Sequence, residues 1–355
     1  MPEPAAEIAI LVVNTNNGDV VEDCLASVVA STEPGIRRRV VLVDNASTDG
    51  SPERVARRFG EVDIVRSAGN RGFTGANNLG WAFIRRRYPD VDYLVLLNPD
   101  TEVAGGWLGA LAGFLDARPD VACAQPKLML HPETELLNTA GNRSHYLGFG
   151  QTSEYRRPDR GRHTGPEPIG YPSGAAVMIR ADLVRRYGLL DGGLFLYHDD
   201  LELGWRYRQL GLASYLVPDA TVYHKYNFSK NYRYYYYFER NRLRVMLVYY
   251  KAATLLLLLP ALAAMELAQL AFAAVHGVAR QKLRSWAYFL DRRNLRELRC
   301  RRRRFQRRRR VSDRAFMRDF VGALDFPEIA TPLLTYVGNP LMRAYWTAAR
   351  RLMFW

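Results

Sequence analysis

The sequence of 355 residues predicts an α/β fold, with a mostly parallel sheet flanked by helices and a helical C-terminal extension. Short apolar runs alternate with segments of helical periodicity over the first hundred residues, which is typical of βαβ units. Clusters of Asn, Asp and Gly follow the apolar runs, at the strand ends where parallel sheets bind ligands. Beyond residue 231 the composition becomes aromatic, apolar and basic. We therefore expect two domains, residues 1–231 and 232–355.

The elements of the first domain follow from the periodicity of its apolar residues. Buried strands are predicted at residues 8–14, 40–44, 62–67, 92–98, 121–126 and 213–218. Helices are predicted from about residue 20, at 50–59, 74–87, 107–115 and 199–211, and a strand that leads into a helix is predicted within 170–188. The second helix should have Ser51 as its N-cap and Pro52 at its first position. Residues 131–168 lack periodicity and predict a long, partly irregular region, where substrate contacts often lie.

The net charge of +14 is concentrated in one segment. Residues 280–310 contain fifteen Lys and Arg and two acids, so they carry +13, and the rest of the chain is nearly neutral. This distribution argues against a generally nucleic-acid-coated protein and for an appended basic element. Three scattered cysteines without a CxxC pair predict a reducing compartment. The N-terminus shows no basic region followed by an apolar one, so we predict no signal peptide and a cytoplasmic location.

Two polar motifs near predicted strand ends could bind a nucleotide. In VLVDNASTDGS (41–51), the Asp44 carboxylate can accept a hydrogen bond from a pyrimidine N3–H. In GNRGFTGANNLG (69–80), Gly72 allows the backbone to approach a ligand, and Asn70 and Asn77 offer amides. The structural alternatives are a plain capped turn for the first motif and an ordinary helix start for the second.

Three further motifs carry acids or a histidine. In LLNPDTEV (96–103), Asp100 can ligate Mg²⁺ or Mn²⁺, although Asn-Pro-Asp is also common in type I turns. Asp199, Asp200 and Glu202 crowd one helix N-terminus, where the helix dipole tolerates carboxylates. Their mutual repulsion would raise a pKa and favour a general base. His224 follows a strand end in a polar setting, which is compatible with a metal ligand.

Together these motifs resemble family 2 glycosyltransferases of the GT-A fold, particularly their rhamnosyltransferase-like branch. The resemblance spans residues 8 to about 231. It is carried, in order, by VVNTNN, VDNASTDGS, GNRGFTGANNLG, LLNPDTEV, SGAAVMIRAD, LYHDDLELGWR and VYHKYNFS.

The resemblance implies an inverting, metal-dependent transfer from a nucleoside-diphosphate sugar, dTDP-rhamnose first and UDP-sugars second. Asp200 would be the catalytic base, with Asp199 beside it, and Asp100 and His224 would hold Mg²⁺ or Mn²⁺. Gly174 and Ala175 would border the acceptor groove. The substrate-binding residues implied are Asn14, Asn16, Asp44, Asn45, Ser47, Asn70, Gly72, Phe73, Asn77, Asn98, Gly174, Ala175 and Arg206. The acceptor would be lipid-linked or a glycan, in cell-envelope synthesis.

The C-terminal extension predicts contact with a membrane. Residues 252–279 are apolar except for a stripe that includes Glu266, Gln269 and His276, which suits a membrane surface or a partner helix better than a full span. The arginines that follow would meet anionic inner-leaflet lipid, and the tyrosines at 232 and 234–237 would lie at the headgroups. We expect a peripheral or interfacially inserted protein at the cytoplasmic face, and the extension is also compatible with a homo-oligomer.

Two other classes of protein compete with this interpretation. A nucleotidyltransferase that makes sugar nucleotides would also use an acid-bound metal, but its basic N-terminal loop is missing from NTNNGDV (14–20). A nucleic-acid-binding protein could use the arginines of residues 301–310. That alternative leaves Asp44, Asp100 and Asp200 unexplained, so we expect no nucleic-acid partner.

Overall fold

The computed structural model describes residues 6–226, 232–325 and 331–355. The chain divides into two compact units. The first, called the sheet unit, comprises Met1–Asn142, Thr152–Gly204 and Leu212–Phe228. The second, called the helical unit, comprises Arg143–Gln151, Trp205–Gly211 and Ser229–Trp355.

Among the described residues, ten strands form one large mixed sheet in the sheet unit, and two further strands form a separate short pair. They are β1 (Ala6–Asn14), β2 (Ile36–Asp44), β3 (Asp63–Arg66), β4 (Tyr93–Leu97), β5 (Thr101–Val103), β6 (Val121–Leu130), β7 (Leu137–Thr139), β8 (Asn142–Ser144), β9 (Gly150–Thr152), β10 (Glu167–Ile169), β11 (Ala176–Arg180) and β12 (Ala213–His224). The order in the sheet is β10-β12-β6-β11-β4-β1-β2-β3, with β5 on β12 and β7 on β6, and β8 and β9 form the separate pair. Strands β1 to β4 pair in parallel, as do β6 and β12, whereas β11 runs antiparallel between β4 and β6.

Helices accompany this sheet in the predicted alternation. They are α1 (Val20–Ala30), α2 (Ser51–Arg58), α3 (Gly72–Arg87), α4 (Trp107–Ala117), α5 (Ala181–Tyr187) and α6 (Asp199–Gln209). The inner strands are apolar because both sheet faces are covered, and their side chains form one core with α1 and α4. The mostly parallel sheet flanked by helices confirms the predicted fold class.

Several local boundaries differ from the predictions. Helix α2 begins at Ser51 with Gly50, in the left-handed conformation, as its N-cap, so Ser51 is the first helical residue. Strand β12 continues to His224, because its second half pairs with both β6 and β5. The irregular region contains the short strands β7 to β10.

The helical unit contains the end of α6 and the C-terminal helices. These are α7 (Tyr235–Tyr249), α8 (Ala252–Val275), α9 (Ala279–Ala287), α10 (Arg292–Arg308), α11 (Asp313–Phe316) and α12 (Asn339–Leu352). Helix α7 packs on α9 and α10, and α8 packs on α9 and α12. Among the described residues, α8 is the helix whose length and composition would allow it to cross a membrane.

Candidate active site

The first part of the candidate site lies where β1 and β2 end side by side. Asn14 and Asp44 are register partners and both are buried. The Asn14 amide donates to Ser51 Oγ (2.8 Å) and Ser47 Oγ (3.2 Å). Asp44 Oδ1 accepts a hydrogen bond from the Ser47 N–H (2.9 Å) and its Oδ2 lies 3.8 Å from the Arg66 guanidinium. Asn14, Asp44 and Ser47 therefore form one polar cluster at the carboxyl edge of the sheet.

Asn16 fixes the loop that covers this cluster. It is exposed, its backbone is in the left-handed region (φ 55°), and its Oδ1 accepts from the Thr48 N–H at 2.7 Å. Asparagine tolerates this conformation better than most residues. The loop after β1 is thereby tied to the loop after β2.

A second set of amide contacts joins β2 to the start of α3. The Asn45 side chain donates to Asn70 Oδ1 (3.0 Å) and accepts from the Arg71 N–H (2.8 Å). Asn70 Oδ1 also accepts from the Gly72 N–H (2.8 Å). These bonds occupy N–H groups at the α3 N-terminus that have no partner within the helix. The motif at residues 69–80 thus holds a helix start against Asn45.

Gly72 brings α3 against the loop that precedes α6. Its φ is +65°, and a Cβ built there would lie 2.4 Å from the Phe195 carbonyl oxygen. Phe195, Tyr197 and His198 also have positive φ, which is costly for bulky residues. A strained segment therefore leads directly into the acids at the start of α6.

Asp199 and Asp200 occupy that helix start with perturbed pKa values. Burial, then the charges of Asp200 and Glu202, raise the pKa of Asp199 to about 8. Burial also raises the pKa of Asp200, to about 6, but hydrogen bonds from the backbone N–H groups of Leu201 (2.7 Å) and Gly174 favour its ionised form. The two carboxyl groups therefore interact, and burial favours their protonated forms while the backbone N–H groups favour ionised Asp200.

Asp100 and His224 form the candidate metal pair. Asp100 Oδ1 lies 3.3 Å from His224 Nε2, and the backbone pairs Thr101 with His224 across β5 and β12. The other ring nitrogen, Nδ1, lies 3.0 Å from Asn138 Oδ1, which orients the imidazole. Asp100 Oδ1 is buried and accepts no hydrogen bond from any described residue. An orphaned carboxylate oxygen beside an oriented imidazole fits a divalent cation whose other ligands are water or phosphate.

The loop at 173–175 connects the metal loop to the acids of α6. The Asn98 N–H donates to the Ala175 carbonyl (2.8 Å), and the Gly174 N–H donates to the Asp200 carboxylate. A Cβ on Gly174 would lie 3.6 Å from Asp199 Oδ2 and 3.8 Å from the Phe73 ring. Gly174 therefore lies next to Phe73 and the two aspartates. Asn98 is hydrogen-bonded to the adjacent residue, Ala175.

Three further predicted substrate-binding residues are buried. Asn77 is buried and its amide donates to the Phe73 carbonyl in α3 (2.9 Å). Ala175 packs in the apolar core of the sheet unit. Arg206 is buried in the helical unit, with its guanidinium 5.5 Å from the Tyr207 ring centre. Their roles in substrate binding stay predictions.

Asn138 and Gln125 were missed by the sequence motifs. Asn138 lies on β7, inside the region predicted to be irregular and rich in substrate contacts, but nothing local marks it as the partner of His224. Gln125 is fully buried on β6 and its Oε1 accepts from the Ser173 N–H. A polar residue within an apolar strand was the available signal for Gln125.

The chain is similar to a family model and to relatives with known names. Residues 9–188 match the family model described as Glycosyl transferase family 2. The chain is 27% identical over 234 residues to the N-acetylglucosaminyl-diphospho-decaprenol L-rhamnosyltransferase of Mycobacterium tuberculosis, which covers 61% of this chain and 75% of that protein. It is 21% identical over 221 residues to the low-salt glycan biosynthesis hexosyltransferase Agl10 of Haloferax volcanii, covering 60% of this chain and 66% of that protein.

A solved structure supports the fold independently. The crystal structure of GalNAc-T7 with UDP, GalNAc and Mn²⁺ superposes with a TM-score of 0.56 at 19% identity, over 70% of this chain and 49% of that one. At this identity the likeness shows the GT-A-like fold alone. The family match covers half of the chain and contains Asn14, Asp44 and Asp100, whereas Asp200 and His224 lie beyond it. The chain belongs to glycosyltransferase family 2.

Proposed function

We propose that this enzyme transfers a sugar from a nucleoside-diphosphate donor to a lipid-linked or glycan acceptor in cell-envelope glycan synthesis. Rhamnose from dTDP-rhamnose is the first candidate, with UDP-sugars second, because the family match is joined by similarity to a rhamnosyltransferase whose name specifies a decaprenol-linked substrate. The observation that carries the proposal is that Asp44, Asp100 and Asp200 all belong to or contact loops at the carboxyl edge of one sheet.

The donor would bind along this edge of the sheet, with its base near Asp44 and its diphosphate near Asp100. Asp44, with Asn14, Asn16 and Ser47 around it, would receive the base, and a pyrimidine N3–H matches the acceptor character of the Asp44 carboxylate. Asp100 and His224 would hold Mg²⁺ or Mn²⁺, which neutralises the charge that develops on the diphosphate leaving group. Asn98 adds an amide beside that pair.

The acceptor would meet the loop at Gly174 and the acids of α6. We assign the base to Asp200 because backbone N–H groups favour its ionised form, whereas burial and the charges of Asp200 and Glu202 favour the protonated form of Asp199. Asp200 removes the proton from the acceptor hydroxyl as its oxygen forms the new bond to the anomeric carbon. The bond to the nucleoside diphosphate breaks on the opposite face, so the anomeric configuration inverts.

The first experiment is calorimetric titration of the full chain with dTDP, UDP and GDP, each with and without Mn²⁺. Metal-dependent binding of dTDP or UDP would support the donor site and select the base. If folded protein binds none of the three nucleotides, the proposal fails. The test is independent of the acceptor, so it separates donor recognition from the choice of sugar acceptor.

Membrane association at the cytoplasmic face is the remaining part of the proposal. It is supported by the apolar length of α8 and by the arginines exposed along α10, such as Arg292, Arg296 and Arg303. A lipid-linked acceptor would be presented at such a surface.

A further inference from the structure

Helix α8 exposes apolar residues and directs its polar residues inward, the reverse of a surface helix in water. All of its exposed residues are apolar: Ala252, Ala253, Leu256, Leu259, Pro260, Ala263, Ala264, Leu267, Ala268, Ala271, Ala274 and Val275. The side chains of Leu256 (70% exposed), Leu267 (67%) and Val275 (83%) extend along its whole length. This outward face is far more apolar than the surface of a soluble protein requires.

The polar residues of α8 point toward other helices of the same unit. Glu266 accepts from Lys282 Nζ (2.8 Å) and Trp286 Nε1 (2.5 Å) on α9, and it is paired with Arg242 on α7. Gln269 Oε1 accepts from the Tyr235 hydroxyl at 2.7 Å. Glu266 and Gln269 of the polar stripe predicted from the sequence therefore face α7 and α9, whereas His276 is exposed.

Glu266 belongs to a cluster of four charges, of which the other three are fully buried. Arg242 and Lys282 each pair with both Glu239 and Glu266, and Glu239, Arg242 and Lys282 are fully buried. Two positive charges thus match two negative ones. The cluster attaches the middle of α8 to α7 and α9, which also carry Arg240, Arg244 and Arg284.

This attachment argues against α8 crossing a bilayer. If α8 crossed alone, Glu266 would leave its partners and enter hydrocarbon unpaired. If α7 and α9 crossed with it, their other arginines would enter the membrane as well. An orientation in the plane of the surface keeps the four charges paired and places only the outward apolar face in lipid.

The C-terminal segment extends the same exposed apolar character. Twelve of the fourteen large apolar side chains that are exposed in the described part of the chain lie at or beyond Leu256. The Tyr345 hydroxyl of α12 donates to the Leu257 carbonyl (2.5 Å), and Trp355 Nε1 donates to Thr254 Oγ1 (2.8 Å). The α12 segment is therefore fixed beside the first turns of α8, and its Leu341 and Phe354 are exposed.

From these observations we infer that the helical unit docks on an anionic bilayer with α8 lying in the interface, and that α8 does not span the membrane. The inference rests on the proposed function, because it specifies the surface on which that reaction would occur. A bilayer fits better than a second copy of this chain, since two copies that each carry a segment with a charge of +13 would repel each other. Anionic lipid instead matches those arginines.

Vesicle flotation of the full chain tests the docking surface. Wild-type protein should float with vesicles of phosphatidylcholine and phosphatidylglycerol, and Leu256→Glu with Leu267→Glu should reduce the floated fraction at least tenfold. The matched control is Ala82→Glu, which adds the same kind of charge at an exposed position of α3. Equal flotation of the double variant and the control would overturn the inference. A melting temperature and far-ultraviolet circular dichroism spectrum close to those of wild type show that the double variant is folded.

Spin-label depth measurements test the orientation without a disruptive charge. Cys300 is exposed and is replaced by Ser, whereas Cys24 and Cys123 are buried. Single cysteines are then placed at Leu256, Leu267 or Val275 and labelled with a nitroxide. Similar shallow depths for all three labels on the same vesicles support the inference.

Other depth profiles overturn it. A deep label at 267 with shallow labels at 256 and 275 would show a spanning helix. Labels that leave water only at high protein concentration, together with a doubled mass in light scattering, would show a dimer. The protein could dock with α8 in the plane of the membrane and yet bind no nucleotide with Mn²⁺. The inferred docking surface would then be supported and the proposed function would fail, so the two outcomes are distinguishable.

Discussion

The Ser173 N–H donates a 2.7 Å hydrogen bond to Oε1 of the fully buried Gln125. The next residue, Gly174, donates its N–H to the Asp200 carboxylate. Gln125 therefore positions the loop that favours the ionised form of the proposed base, although it lies on a different strand and precedes Asp200 by 75 residues.

Replacing Gln125 should alter turnover more than donor binding. Gln125→Leu leaves the Ser173 N–H without its acceptor, and the loss of a buried partner costs about 1–3 kcal/mol of stability. We expect kcat to fall about tenfold or more, because the loop no longer holds Asp200 in place. Calorimetric dTDP affinity should stay near the wild-type value.

A second variant, Gln125→Glu, keeps an oxygen at this position and adds a carboxyl group. A negative charge there would raise the pKa of Asp200, so the acidic limb of the pH profile of kcat should shift to higher pH. An unchanged pH profile in both variants would exclude a positioning role.

The two aspartates of α6 should have different kinetic roles. Asp200→Asn should lower transfer by about 10²–10⁴ and keep donor binding, because it removes the proposed base but preserves size and shape. Asp199→Asn mimics the protonated form of Asp199 and should transfer sugar well. In the wild type, kcat/KM should rise with pH through an apparent pKa near 6. Normal transfer by Asp200→Asn would move the base to Asp199 or Glu202.

The raised pKa of Asp199 should also appear as pH-dependent stability. Its folded-state pKa of about 8 lies above its ordinary value of 3.8, so the folded state retains a proton that the unfolded chain loses between these pH values. Asp199 therefore destabilises the fold increasingly as pH rises across this interval. Asp199→Asn should melt at least about 2 °C above wild type at pH 8, with the difference vanishing near pH 4. Thermal melts across this range would contradict the assignment if the difference were constant.

The Asp100 and His224 pair should be required for metal-dependent nucleotide binding. Asp100→Ala should abolish the Mn²⁺-dependent part of dTDP binding and the transfer that depends on it. Asn138→Leu should weaken that binding about 10–100-fold, because Asn138 orients His224 through Nδ1. Asp90→Ala, at an exposed position before β4, is the matched control and should bind normally. Full Mn²⁺-dependent affinity in Asp100→Ala would rule out the metal site.

Gly72 should be intolerant of any side chain. Gly72→Ala places a Cβ 2.4 Å from the Phe195 carbonyl and forces a positive φ, so it should destabilise the protein by more than about 1 kcal/mol and lower kcat. Gly113→Ala is the control, because Gly113 lies in α4 and a Cβ added there would have no neighbouring atom within 4 Å. This control should be neutral or stabilising by about 0.4–1 kcal/mol. Equal thermal stability of the two variants would contradict the close contact.

More of the fold than of the candidate site can be predicted from the sequence. Strand-end polar clusters such as Asn14 and Asp44 are predictable, because apolar periodicity locates the strands and parallel pairing aligns their ends. Gln125 and Asn138 are not, because their partners are distant in sequence and become neighbours only through sheet order and the path of β7. The side to which Glu266 points is also not predictable. Helical spacing places it on a polar stripe, but the packing of α7 and α9 decides which way that stripe faces.

Asp100 and His224 are separated by more than a hundred residues and meet because β5 pairs with the end of β12. The unfolded chain contains no such pair, so a ligand that needs both residues binds only the folded sheet unit. Such a ligand raises the free energy of unfolding by about 2.7 kcal/mol at a hundredfold excess over its Kd. The melting temperature is thus a measure of donor-site occupancy, and a panel of nucleotide sugars could be ranked by thermal shift before any acceptor is identified.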